Sequence, residues 1–271
     1  MGDSQQPDVD DAEVGPVPIS PAPTYTYILL GSIAAVFAAQ LIFGDALSTL
    51  SLSNLFGDDR SAVAAGFVKP YFVNYHQYWR ILTGAAVHGG VLHVVMNGYA
   101  LLVLGRVCEM LSNRAHLAIV FVLACIGGGL LSLYFLPDGV SVGASGGIVG
   151  VMGYITIYAF RRKRFISSQF RRSLLINIAF LAIFGLVLIN VVDNYGHLGG
   201  LLIGMIYGLI QIPSDEHVDP RLAPPAIGAF GVAAMGLFIA SCVLSMILIF
   251  DFRNAVIPQS FDAASQSSPA R

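Results

Sequence analysis

NYGHLGGLLIGMIYG, residues 194–208, is the stretch on which the fold turns. Glycine recurs at 196, 200, 204 and 208, one every four residues inside an apolar run. Small residues at that spacing strip one helix face down to backbone and let a second helix pack closely against it. A matching partner lies upstream: Gly146, Gly150 and Gly153 follow Ser145 in SVGASGGIVGVMG, residues 141–153. His197 adjoins the first stripe and Ser145 begins the second, so packing the two faces brings a hydroxyl and an imidazole together.

The rest of the chain says in what medium this happens. Hydrophobic residues make up 56% of the 271 and charged residues only 11%, with a mean hydropathy of +0.74. A soluble domain carries roughly a quarter charged residues, so the composition points to a membrane protein. The net charge of -2 and the lack of a broad basic surface give no sign of a nucleic-acid partner. Cys108, Cys125 and Cys242 stand in or beside apolar runs, as small hydrophobes and not as a disulfide framework.

Seven apolar segments are visible, at 24–43, 88–105, 115–135, 145–160, 173–190, 197–211 and 226–250. A span takes about 20 residues, and the fourth and sixth fall short. The expected organisation is an all-α polytopic membrane bundle: a tail at 1–23, a six-span core at 24–211, a linker at 212–225, a seventh span at 226–250 and a tail at 251–271. Both tails are polar or Pro- and Ser-rich and are expected to be disordered. The N-terminal one has neither the basic start of a signal peptide nor the Arg-rich helix of a transit peptide.

RRKRFISSQFRR, residues 161–172, holds six basic residues and no acidic one, which places it in the cytoplasm. By parity the N-terminus lies inside and the C-terminus outside. The connection 44–87 is then external, and its Trp79, Tyr71, Tyr75 and Tyr78 suit the membrane interface, with Arg80 snorkelling to the headgroups.

Polar residues inside a bilayer are costly and usually functional. His93 and Asn97 share a helix face in the second span, Ser145 opens the fourth, and His197 opens the sixth. All three spans run inward, ending near Arg106, Arg161 and Gln211. At 1.5 Å per residue His93 stands about 20 Å above its marker, Ser145 about 24 Å and His197 about 21 Å. Three helices thus bring polar groups to one depth, below the outer surface.

A serine hydroxyl is a weak nucleophile until a base lies within hydrogen-bond reach. His197 is the candidate for that base, able then to protonate the leaving amine. The oxyanion needs donors already in place, and the candidates are the Ser145 N–H, His93 and Asn97, with Gly143 and Gly146 letting the backbone turn around Ser145. Each residue alone has a plainer reading: Ser145 as a helix cap, His197 bonded to a carbonyl, Asn97 as interhelical glue. Their conjunction at one depth favours chemistry.

Other titratable residues fit less well. His88 extends the donor cluster or sits at the headgroups, and a structural role is favoured. Asp193 is a possible third member beside His197, but its place in a short outer connection favours a dyad. Glu109 and Arg106 read as a solvated cytoplasmic turn, and His76, His116 and His217 as loop or interface residues. Zinc is a poor fit, because HGGVLH lacks the HExxH spacing, so no metal site and no cofactor is expected.

YWRILTGAAVHGGVLHVVMN, GASG and GHLGGLLIG together resemble the signatures of rhomboid intramembrane serine proteases across residues 25–211. The resemblance implies a Ser145–His197 dyad and an oxyanion hole from His93, Asn97 and the Ser145 N–H. It also implies that Trp79 and Arg80 shape the outer connection, that Glu109 is structural, that Gly200 and Gly204 belong to the sixth-span motif, and that the fifth span lies at the substrate gate. The seventh span makes a six-plus-one layout. One departure is Val149, where some relatives place an aromatic against the base histidine. The expected substrates are single-span membrane proteins cut near the outer leaflet, in a bacterial cytoplasmic membrane. The competing readings are a transporter or channel, which calls for inverted repeats not seen here, and a non-catalytic rhomboid-like binder of membrane helices.

Overall fold

The computed structural model describes residues 22–43, 59–189, 191–215 and 217–254. Nearly all of both expected tails, and the first part of the outer connection, lie outside these residues. Among the described residues ten helices run in order: α1 (Thr24–Phe43), α2 (Asp59–Ala65), α3 (Lys69–Asn74), α4 (Arg80–Ala86), α5 (Val91–Leu111), α6 (Arg114–Phe135), α7 (Ser145–Arg161), α8 (Ser168–Val187), α9 (Asn194–Gln211) and α10 (Pro225–Asn254). Two short strands, β1 (Phe67–Val68) and β2 (Val140–Ser141), pair antiparallel with Phe67 opposite Ser141. The fold is an all-α polytopic bundle with this one small ribbon on it.

By length and composition α1, α5, α6, α8 and α10 are long and apolar enough to cross a membrane. The shorter α7 and α9, of 17 and 18 residues, are the pair that carries Ser145 and His197. They form the centre together with α6. At Gly200 and Gly204 a Cβ would collide with the carbonyl oxygens of Gly146 and Gly150, so α7 and α9 touch backbone to backbone. The same holds between α6 and α9, where a Cβ at Gly199 would sit 2.8 Å from Gly127 O. The glycines of α6, Gly127 and Gly128, make this a three-helix contact.

The helix ends differ from the apolar segments in instructive ways. The second span begins at Val91, not 88, because Gly89 and Gly90 break the chain, Gly90 at φ 153°. It runs on to Leu111, so Arg106 and Glu109 lie within a helix and not in a solvated turn. Glu109 is 8% exposed. Its Oε1 accepts the N–H and the hydroxyl of Thr26, each at 2.7 Å, which satisfies first-turn donors of α1. The last helix likewise continues past 250 to Asn254.

Three further helix starts carry side-chain caps. Asn113 accepts from His116 N at 3.1 Å, Ser167 from Phe170 N at 3.2 Å, and Asp193 from Gly196 N at 2.8 Å. His116 is therefore not a loop residue. It is buried in the first turn of α6, with Nδ1 bonded to Tyr207 Oη at 2.8 Å. Arg80 does not snorkel either. Its guanidinium is buried, donating to Val63 O at 3.1 Å and Gly66 O at 2.8 Å and lying over the Tyr71 ring. It holds the outer connection together, while Trp79 beside it stays exposed.

Candidate active site

The turn before α7 presents Ser145. Gly143 has φ +112°, a left-handed conformation that L side chains rarely adopt. Space forbids a side chain there as well, since a Cβ would lie 2.6 Å from His93 Cε1. The turn is held from three sides. Gly143 N–H donates to Gly84 O at 2.9 Å, β2 pairs with β1, and Ala144 N–H donates to His88 Nε2 at 3.4 Å.

His88 is not at the headgroups. It is 1% exposed, with Nδ1 3.2 Å from Ala86 O. That carbonyl only accepts, so Nδ1 carries the proton and Nε2 is free to take the Ala144 N–H. The backbone of His88 is fixed by Gln40 on α1, whose amide exchanges two hydrogen bonds with it, at 2.9 and 3.0 Å. Sequence reasoning missed Gln40. Its signal is a lone amide inside the first apolar run.

Ser145 Oγ lies 2.7 Å from His197 Nε2. Both side chains line one cleft, with Phe67, Ile81, Ser141 and Asp193 on its walls. His197 reaches it from the first turns of α9, its N–H bonded to Asp193 O at 3.0 Å. Its Nδ1 is buried and has no hydrogen-bond partner among the described residues. The Asp193 carboxylate does not take it, being engaged elsewhere.

His93 faces the turn in front of Ser145. Its Nδ1 accepts Gly89 N–H at 3.3 Å, so a neutral ring carries its proton on Nε2. That nitrogen stands 2.7 Å from where a Gly143 Cβ would be. Asn97 sits one turn on, buried, its Nδ2 donating to His93 O at 2.9 Å. The rings of His88 and His93 meet edge-on at 5.1 Å. Val149 is buried four residues beyond Ser145.

Three residues unremarked in the sequence join the site's edge: Lys69, Ser132 and Ser141. Lys69 Nζ donates to Ser132 Oγ at 2.8 Å, and Ser132 and Ser141 both donate to Asp193 Oδ2 at 2.5 Å. Burial pushes the Lys69 ammonium below its ordinary range, opposed by the charge of Asp193.

The family model described as Rhomboid domain matches residues 75–214, more than half of the chain. The chain belongs to the rhomboid family. Among similar proteins are "RHOMBOID-like protein 6, mitochondrial" of Arabidopsis thaliana, 28% identical over 66% of this chain and 62% of that protein, and "Rhomboid protease GluP" of Bacillus subtilis (strain 168), 27% identical over 77% and 37%. "Inactive rhomboid protein 1" of Danio rerio is 27% identical over 62% of this rhomboid and 20% of its own length. This rhomboid thus spans less than two thirds of each of these relatives. Their names include a protease and an inactive member, so membership alone gives a hydrolase family and not this protein's activity. The relatives also come from plants, one named mitochondrial. The family and the five apolar helices support an integral membrane protein, and these plant relatives do not fit the bacterial cytoplasmic membrane expected from the sequence.

Proposed function

We propose that this rhomboid is an intramembrane serine endopeptidase that cuts membrane-spanning helices with a Ser145–His197 dyad. One observation carries the reading: the 2.7 Å contact between Ser145 Oγ and His197 Nε2, made between the first turns of two helices whose backbones touch. Such a contact is what an attacking hydroxyl and its base require.

In this mechanism His197 takes the Ser145 proton as Oγ attacks the scissile carbonyl, then gives it to the leaving amine. The oxyanion forms next to the start of α7. There the Ser145 N–H, at a helix N-terminus, and His93 Nε2–H are the donors at hand, with Asn97 keeping a second Nδ2 hydrogen beyond the one given to His93 O. Water entering from the outer side then releases the acyl group.

The substrate helix must unwind locally, since helical peptide bonds are shielded by their own hydrogen bonds. Helix α8 offers the way in. Only Leu174 and Gly185 are buried along it, so it adheres loosely to α7 and α9. The six-span core at 24–211 with a seventh span at 226–250, and the N-in, C-out orientation, belong to the same proposal. The reading is tested with a fluorophosphonate probe and a reporter span in detergent. Labelling and cleavage that both vanish in Ser145→Ala support it, and cleavage that persists rejects it.

A further inference from the structure

Lys69 is the polar residue whose burial is least explained by the mechanism. The residue is 1% exposed, and lysine is almost never buried so fully unless paired. It belongs to α3, in the outer connection, yet Nζ reaches Ser132 Oγ on α6 at 2.8 Å. Ser132 gives its own proton to Asp193 Oδ2, and Ser141 of β2 gives another to the same oxygen, each at 2.5 Å. The other carboxylate oxygen accepts Gly196 N–H at 2.8 Å. Three donors converge on one carboxylate, and through Ser132 the ammonium of a fourth element is linked to it.

A helix cap has no need of this. Asn or Ser caps as well as Asp does, with no cation, and burying a cation is costly. The extra machinery therefore asks for a reason beyond capping.

His197 supplies it. In a serine–histidine–carboxylate triad the ring is aimed by a hydrogen bond at Nδ1. Here Nδ1 has no partner among the described residues, so the ring is aimed by the backbone that bears it. The first turn of that backbone starts at Asp193, whose carbonyl accepts the His197 N–H at 3.0 Å. We propose that Asp193, clamped by Lys69 through Ser132, is a positioning residue. The clamp fixes the first turn of α9, aims His197 Nε2 at Ser145 Oγ, and ties that aim to the packing of the outer connection.

This inference rests on the dyad reading, and one experiment separates the two. The full chain in detergent is assayed for fluorophosphonate labelling rate and for kcat and KM on a reporter span. The variants are Asp193→Asn, Lys69→Met, Lys69→Arg, Ser132→Ala and the Lys69→Met/Asp193→Asn double. Asp193→Asn keeps a cap acceptor while removing the charge.

Asp193→Asn and Lys69→Met are expected to lower kcat and labelling rate by about tenfold or more, as a small misplacement of a reacting group does. KM should stay within about twofold, the mark of an effect on the chemical step. The double variant should be no slower than the slower single, since both remove one interaction. Lys69→Arg should recover part of the rate. Ser132→Ala, which deletes only the bridging hydroxyl, keeps the test alive should a charge variant not fold, and it too must slow labelling. Wild-type labelling rates in the folded variants, a loss confined to KM, or additive losses would overturn the clamp while leaving the dyad intact. A wild-type protein that never labels overturns the dyad and the clamp with it.

Discussion

Ala144 and His88 are joined by a hydrogen bond from the backbone N–H of one to Nε2 of the other, at 3.4 Å. A side chain outside the proposed dyad thereby holds the turn that presents Ser145. Truncating it in His88→Ala leaves that N–H without its partner next to Ser145. We expect fluorophosphonate labelling to slow by about tenfold, the scale of a small misplacement, without disappearing. Gln40→Leu, which frees the His88 backbone from α1, should shift the reaction in the same direction and lower stability by about 1–3 kcal/mol, the cost of leaving buried partners unsatisfied. Unchanged labelling in both would show that the turn holds itself.

His93→Ala removes a candidate oxyanion donor and should cut kcat by about 10²–10³-fold, as loss of one such donor does. KM for the reporter span should move little. An effect on KM alone would place His93 in substrate binding.

The glycine contacts make a graded prediction. Gly204→Ala puts a methyl where Gly150 O already lies, and Gly200→Ala does the same against Gly146 O. Both should separate α7 from α9, lower the thermal midpoint and abolish cleavage. Gly228 and Gly236 on α10 face nothing within 4 Å, so alanine at either should leave both properties unchanged. Equal tolerance at all four positions would contradict the backbone packing.

Lys69 gives a pH dependence with a definite sign. Burial lowers its folded value from the ordinary 10.5, so between those two points the unfolded chain holds more protons. Stability therefore rises with pH across that alkaline window, and below it the cost of the buried cation is present in full. Lys69→Met should lack this slope in thermal melts taken between neutral and alkaline pH. Over the same window wild-type labelling should fall as the clamp loses its charge, so activity and stability diverge.

Much of the site is legible in the amino-acid sequence because the glycine period and the shared depth depend only on helix geometry. Ser145, His197 and His93 all sit near span starts, each a similar number of helical residues above its cytoplasmic marker, so a rise of about 1.5 Å per residue carries all three to similar depths. What escapes that logic is contact made by loops. Lys69 and Ser141 belong to connections whose path no periodicity encodes, and Ser132 looks like any small residue in an apolar helix. Glu109 reads as a solvated turn because its partner, Thr26, lies 83 residues away at the start of another helix. Arg80 reads as a snorkelling cation for the same reason, its acceptors being carbonyls of an irregular segment.

The central claim is that Ser145 attacks with His197 as its base. The most direct measurement is the rate at which a fluorophosphonate labels the intact chain in detergent, compared among wild type, Ser145→Ala and His197→Ala. Labelling of the wild type at Ser145, with none in the first variant and a loss of at least about a thousandfold in the second, is the predicted result. A wild-type protein that takes up no label, or a His197→Ala variant that labels as fast as wild type, would contradict it.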